Sequence, residues 1–254
     1  MTQQRLQKIL GQAGYGSRRE IEKWIEAGCL QINQRVAKLG DSATENDVLH
    51  LNGRLIPNPL LKAATQAIRI LLYHKPVGEI SSKRDPLHTK TVFDHLPRLK
   101  EGRWVQVGRL DINTAGLLLF TNNGDVAHQL MHPRFNLERE YAVRVQGEVQ
   151  DSMIQNLLKG VELEDGMAKF KRIDFRGGES SNVWYHVVLT EGRHREVRRL
   201  WESQNLRVSR LIRVRYGSFT LPRSLPRGKF LELSEDAVTR YLNAFHAQKK
   251  GSKA

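Results

Sequence analysis

V-G-R-L-D-I-N-T-A-G-L-L-L-F-T, residues 107–121, sets one carboxylate, Asp111, between a short apolar run (Trp104, Val105, Val107) and a longer one from Leu117 to Phe120. Arg109 lies two residues before it, and Gly108 and Gly116 bracket the turn. Unbroken apolar flanks read as strands buried on both faces. Asp111 is therefore expected at the rim of a core, where a carboxylate needs a partner cation. In an arbitrary chain, an Asp ahead of Ile-Asn-Thr is most often an Asx-turn residue.

A candidate cation lies in Glu191-Gly192-Arg193-His194-Arg195-Glu196-Val197-Arg198-Arg199-Leu200-Trp201. At about 100° per residue, Val197, Leu200 and Trp201 share one helix face and Arg195, Arg199 and Glu202 the opposite one. Arg198 falls at the border, beside Trp201. Spacing leaves two roles open for it: covering Trp201 and reaching solvent, or presenting a planar fork to Asp111.

The front of the chain has a different texture. Leu6, Ile9, Leu10 and Ala13 make one helical face. Ser17-Arg18-Arg19-Glu20 has capping-box spacing ahead of a second stripe, Ile21, Trp24 and Ile25, which Gly28 ends. Leu30, Ile32, Val36 and Leu39 follow as an extended piece. Arg5, Lys8, Arg18, Arg19 and Lys23 are left on the outer faces; singly each is a solvated cation, together they suit phosphates. This front part spans residues 1–62, with a linker at 63–68 after Pro57-Asn58-Pro59.

From 69 to 247 the pattern is many strands and few helices without regular alternation, which predicts an α+β fold with a mixed, mainly antiparallel sheet and flanking helices. Ile70 to Tyr73 reads as a buried strand, Ser81 to Lys90 as polar turns, and Thr91 to Leu96 as one helical turn. Tyr141, Val143 and Val145 alternate along another strand. Asp151 is positioned to cap a helix, Gly177-Gly178 to make a turn, and residues 248–254 to form a disordered basic tail.

Composition narrows the partners. Across 254 residues, 41 Lys and Arg against 27 Asp and Glu give a formal net charge of +14, which favours a polyanion. No apolar run approaches the ~20 residues that span a bilayer, and the N-terminus has no secretory core. With Cys29 alone there is neither an intrachain disulfide nor a thiolate cluster. His128 and His132 lack a third ligand, so no metal is expected. The chain reads as soluble, cytoplasmic and monomeric.

The front segment, through S-R-R-E-I-E-K-W-I-E-A-G and L-N-G-R-L-I, resembles the S4 RNA-binding module. G-R-L-D-I-N-T-A-G-L-L-L-F-T resembles the signature of the RsuA/RluB group of pseudouridine synthases, as do H-K-P-V-G, E-R-E-Y-A-V-R-V, G-R-H-R-E-V-R-R-L-W and V-S-R-L-I-R-V-R-Y-G. E-R-E-Y and R-E-V-R-R-L-W are most similar to the RluB-type branch, which acts on large-subunit (23S) rRNA. The resemblance implies a pseudouridine synthase fold, rRNA as partner, and isomerisation of one uridine without a cofactor. By motif, Asp111 is then the catalytic aspartate, Tyr141 the tyrosine that stacks on the base, and Arg198 the basic residue paired with Asp111. Val197 lines the pocket, Arg109 helps displace the uridine, and Arg195 and Arg199 are further substrate contacts. Lys75-Pro76 matches a structural motif. His194 stands where the group has Asn or Tyr. Two rivals remain: synthesis at another rRNA uridine, and a non-catalytic assembly factor. A methyltransferase would need a glycine-rich loop where His74-Lys75-Pro76 stands.

Overall fold

The computed structural model describes residues 3–60, 67–82, 90–179 and 182–251. The expected linker falls mostly outside them, as do residues 83–89 of the polar turn region and 252–254 of the tail. The chain divides into two compact units: residues 1–69 with 97–105 and 122–124, and the remainder.

In the first unit, α1 (Leu6–Gln12) and α2 (Arg18–Glu26) form where the apolar spacing requires. The capping box is complete: Ser17 Oγ accepts from the Glu20 amide at 3.2 Å, and Glu20 Oε2 accepts from the Ser17 amide at 2.6 Å. A strand pair, β1 (Gln4–Arg5) and β4 (Ser42–Ala43), flanks a sheet of β2 (Leu30–Ile32), β3 (Arg35–Val36), β5 (Leu49–Leu51) and β6 (Arg54–Ile56) in the order β3-β2-β5-β6. Leu6, Ile9, Leu10, Ile21, Ile25 and Leu30 close the core. Of the extended piece, Leu30 and Ile32 are buried while Val36 and Leu39 are half exposed. The segment 97–105, contiguous in sequence with the larger unit, belongs to the front unit, where Arg103 Nε donates to Gly11 O at 2.9 Å.

The second unit is built on a mixed nine-stranded sheet. Its path runs β13 (Arg172–Glu179), β14 (Asn182–Leu189), β10 (Arg139–Gln146), β15 (Arg207–Tyr216), β9 (Ala115–Thr121), β7 (Ile70–Lys75) and β17 (Phe230–Glu232). β16 (Phe219–Thr220) pairs with β15 and β8 (Val105–Val107) with β9, while β11 (Val161–Leu163) and β12 (Gly166–Ala168) form a separate hairpin. Along this path β15 and β9 are parallel and the other pairs antiparallel. All seven residues of β9 are buried, because strands cover both its edges and packed elements both its faces. The helices are α3 (Gly124–Met131), α4 (Asp151–Lys159), α5 (Glu196–Glu202) and α6 (Glu235–Gly251).

Three local expectations differ from what forms. Gly177 and Gly178 make no turn: β13 runs through them with a register shift before Gly178, and their positive φ values (96° and 123°) absorb the extra length. Asp151 lies in the first turn of α4, whose N-cap is Gln150. Residues 248–251 continue α6 rather than beginning the tail.

Candidate active site

The turn between β8 and β9 is held by its backbone. Lys75, fully buried at the end of β7, donates from Nζ to the carbonyls of Asp111 (3.1 Å), Thr114 (2.9 Å) and Pro76 (3.0 Å), with Ile112 O at 3.5 Å. The Gly78 amide donates to Ile112 O at 2.9 Å, and Ser81 Oγ to Leu110 O at 2.8 Å. From the other side, Arg198 donates to Asn113 O at 2.9 Å and to Val208 O of β15 at 2.8 Å. Every carbonyl from residue 110 to 114 therefore has a donor.

The sequence asked for one cation beside Asp111, and the fold provides two. Burial holds the Arg198 guanidinium below the usual arginine range and Arg195 adds to that, while the charges of Asp111 and Glu202 act against it. Burial brings Lys75 down to about 8, opposed by Glu79 and Asp111. Neither cation makes an ion pair with the carboxylate among the described residues. Arg198 reaches the turn through Asn113 O, since helix α5 delivers its fork to the backbone beside Asp111.

The depressed Lys75 has a consequence for stability. The folded protein binds this proton less tightly than the unfolded chain, whose lysine titrates near ~10.4. Stability contributed here is lowest below pH 8 and rises as pH climbs from about 8 towards the unfolded value. Between pH 7 and 9.5, wild type should gain about 2 kcal/mol relative to Lys75→Met in urea unfolding. A difference that does not change with pH would contradict the shifted lysine.

Asp111 and Tyr141 line one cavity of about 410 Å³, together with Arg109, Val197 and Arg195. That volume lies within the ~300–1,000 Å³ of small-ligand sites. Tyr141, 8% exposed, sits on β10 opposite Val187 of β14 and Arg213 of β15, so its position is fixed by two neighbouring strands. Val197 is buried on α5 and Arg109 exposed at the mouth. Arg195 precedes the helix with φ of 50° and bridges to Glu202 at 3.3 Å. Two expected residues do not line this cavity. Arg198 lies behind the turn, and Arg199 forks onto the Asp165 carboxylate at 2.8 and 2.9 Å, fixing the β11–β12 hairpin. Of the front unit's expected cations, Arg5, Arg18, Arg19 and Lys23 are exposed and Lys8 is partly covered.

Several cavity residues were not singled out from the sequence. Arg139, two positions before Tyr141 on the same strand face, donates to Leu137 O at 3.1 Å, to Thr190 O, and to the Tyr216 hydroxyl at 3.1 Å. Arg213 is 2% exposed, donates to Leu117 O at 2.8 Å, and packs its guanidinium 5.0 Å from the Tyr216 ring centre. Period-two spacing from Tyr141 and Leu211 was the available signal for both. The buried Thr114 hydroxyl has no hydrogen-bond partner among the described residues, and Thr114 lines the cavity. Glu196, whose carboxyl burial pushes up, and His194 complete this side.

A model of the family described as RNA pseudouridylate synthase matches residues 69–203, more than half of the chain. The chain belongs to the RNA pseudouridylate synthase family. An S4 domain matches residues 4–49 of this synthase. Over 241 residues it is 54% identical to ribosomal large subunit pseudouridine synthase B of Escherichia coli (strain K12), covering 94% of this chain and 82% of the relative. The protein of the same name from Yersinia pestis is 52% identical over 241 residues, covering 94% and 75%. A crystal structure of a pseudouridylate synthase superposes with a TM-score of 0.63 at 23% identity, covering 92% of this chain and 98% of that one, a likeness of fold. The synthase is an isomerase with an α+β fold. Among its described residues there is no cluster of three or more His, Cys, Asp or Glu placed to hold a metal, and no helix long and apolar enough to cross a membrane.

Proposed function

We propose that this synthase converts one uridine of large-subunit rRNA to pseudouridine, acting in the cytoplasm as a monomer without metal or cofactor. The reaction breaks the bond from C1′ to N1, turns the uracil, and joins C1′ to C5, so nothing is oxidised and no external group enters. Asp111 supplies the carboxylate, either as nucleophile at the sugar or as the base that removes the 2′ proton. The nucleotide leaves its stack at a cost of a few kcal/mol. Tyr141 offsets part of it, since base–aromatic stacking contributes ~1–3 kcal/mol. Arg198 and Lys75 hold the turn that aims the carboxylate. Arg109, Arg195 and Val197 meet the nucleotide at the cavity wall. Arg5, Lys8, Arg18, Arg19 and Lys23 give the S4 unit its hold on phosphates.

The observation that carries this reading is the shared cavity of Asp111 and Tyr141, in a chain 54% identical to a synthase named for the large ribosomal subunit. Pseudouridine mapping of rRNA from cells lacking the protein tests it. One large-subunit position should lose its pseudouridine and regain it when the purified protein is added to that rRNA. An unchanged large-subunit map, or a loss in small-subunit rRNA instead, would overturn the assignment.

A further inference from the structure

A second hollow, of about 650 Å³, backs onto the catalytic turn. The wall between it and the cavity is the turn itself: Asp111 and Thr114 line the cavity, Asn113 and Ala115 the groove, and Leu211 both. Arg198, Arg207, Arg210 and Arg227 line the groove, and among the described residues no carboxylate does. Arg198 is 8% exposed, and its Nε has no hydrogen-bond partner among the described residues. Arg207, Arg210 and Arg227 are exposed.

Six other arginines of this unit are matched by acids. Arg172 and Arg176 meet Asp174, Arg215 meets Glu138 and Glu140, Arg193 and Arg199 meet Asp165, and Arg195 meets Glu202. Around the groove none of Arg207, Arg210 and Arg227 has an acidic partner among the described residues. Their arrangement is built into the strand. Arg144 pairs with Arg210 and Val145 with Val208, so Ser209 is an extra residue in β15. This bulge is pinned by Arg144 Nε donating to Ser209 Oγ at 2.8 Å and Ser209 Oγ donating to Arg144 O at 3.1 Å. Without it, residues 207 and 210 would fall on opposite faces of the strand; the bulge brings both to the same hollow.

We propose that this groove binds the phosphodiester backbone of the RNA next to the everted nucleotide. The inference rests on the RNA reading above and adds a site to it. Exposed guanidiniums without acidic partners are suited to phosphate oxygens.

Full-length Arg207→Gln/Arg210→Gln is compared with Arg172→Gln/Arg176→Gln, which removes the same charge from arginines already paired with Asp174. Affinity for an rRNA stem–loop is measured across salt concentrations, and turnover on the same RNA. The groove pair should raise Kd about tenfold at physiological salt and flatten the plot of log Kd against log salt by about 1.4–1.8, with kcat at saturating RNA kept. The control pair should change neither appreciably. Equal effects of the two pairs on Kd and slope would reduce the groove to bulk charge and overturn the proposal. A fall in kcat with unchanged KM would overturn it too, placing these arginines on the catalytic turn. Failure of the rRNA reading looks different: the wild type would form no pseudouridine, while the binding comparison still decides the groove.

Discussion

Asp111→Asn is expected to lower kcat by at least about 10⁴-fold while RNA affinity stays within a few-fold of wild type. The amide keeps the shape of the carboxylate but can neither attack C1′ nor take a proton. The turn should survive the change, because it is fixed through the carbonyls of residues 110–114 by Lys75, Gly78, Ser81 and Arg198. Removing the negative charge also takes away a favourable neighbour of two buried cations, so a modest loss of stability should accompany it. Single-turnover assays with protein in excess separate chemistry from binding. Turnover within tenfold of wild type would remove Asp111 from its assigned role.

Gly116→Ala should have the largest effect on stability. Gly116 is the residue of β9 directly opposite Arg213 in the parallel pair with β15, and its φ is 109°. A Cβ there would stand 2.3 Å from Arg213 O and 2.5 Å from Arg213 N. These are backbone atoms of a central strand and cannot swing aside. Overpacking of this kind costs about 1–3 kcal/mol. A non-glycine residue in a sparsely populated backbone region adds about 1–3 kcal/mol. Together about 2–6 kcal/mol is expected, a large part of the 5–15 kcal/mol that typical domains possess. Gly177→Ala separates the two contributions, because Gly177 has a φ of 96° but nothing within 4 Å of its Cβ position. Urea unfolding should place Gly116→Ala at least about 1 kcal/mol below Gly177→Ala. Equal stabilities would mean that β9 and β15 can part without cost.

Where local chemistry decides the outcome, the sequence was legible. The Ser17–Glu20 box, the apolar stripes of α1 and α2, and the unbroken burial of β9 all rest on residues within a few positions of one another. Asp111 could be picked out because it lies between two apolar runs, whereas Tyr141 was picked out by the family motif, its alternation alone placing it in a core. Gly177-Gly178 misled because a glycine pair serves a bulge as well as a turn, and the choice depends on the neighbouring strand's register. The return of residues 97–105 to the front unit was likewise invisible: Arg103 finds Gly11 O across more than ninety positions of chain.

The role of Tyr141 came only from the family resemblance, but by itself the sequence supplied grounds for the two-part organisation, the polyanionic partner and a carboxylate at the rim of a core. Those follow from composition and from periods of two and 3.6 residues, which act over short lengths of chain. Tertiary structure alone decided how the carboxylate is supported. Lys75 and Arg198 converge on backbone carbonyls from opposite sides, Arg199 is spent on Asp165, and a one-residue bulge gathers Arg207 and Arg210 at one groove. Hydrogen-bond partners of buried cations are set by strand register and helix position, and neither is encoded in any single stretch.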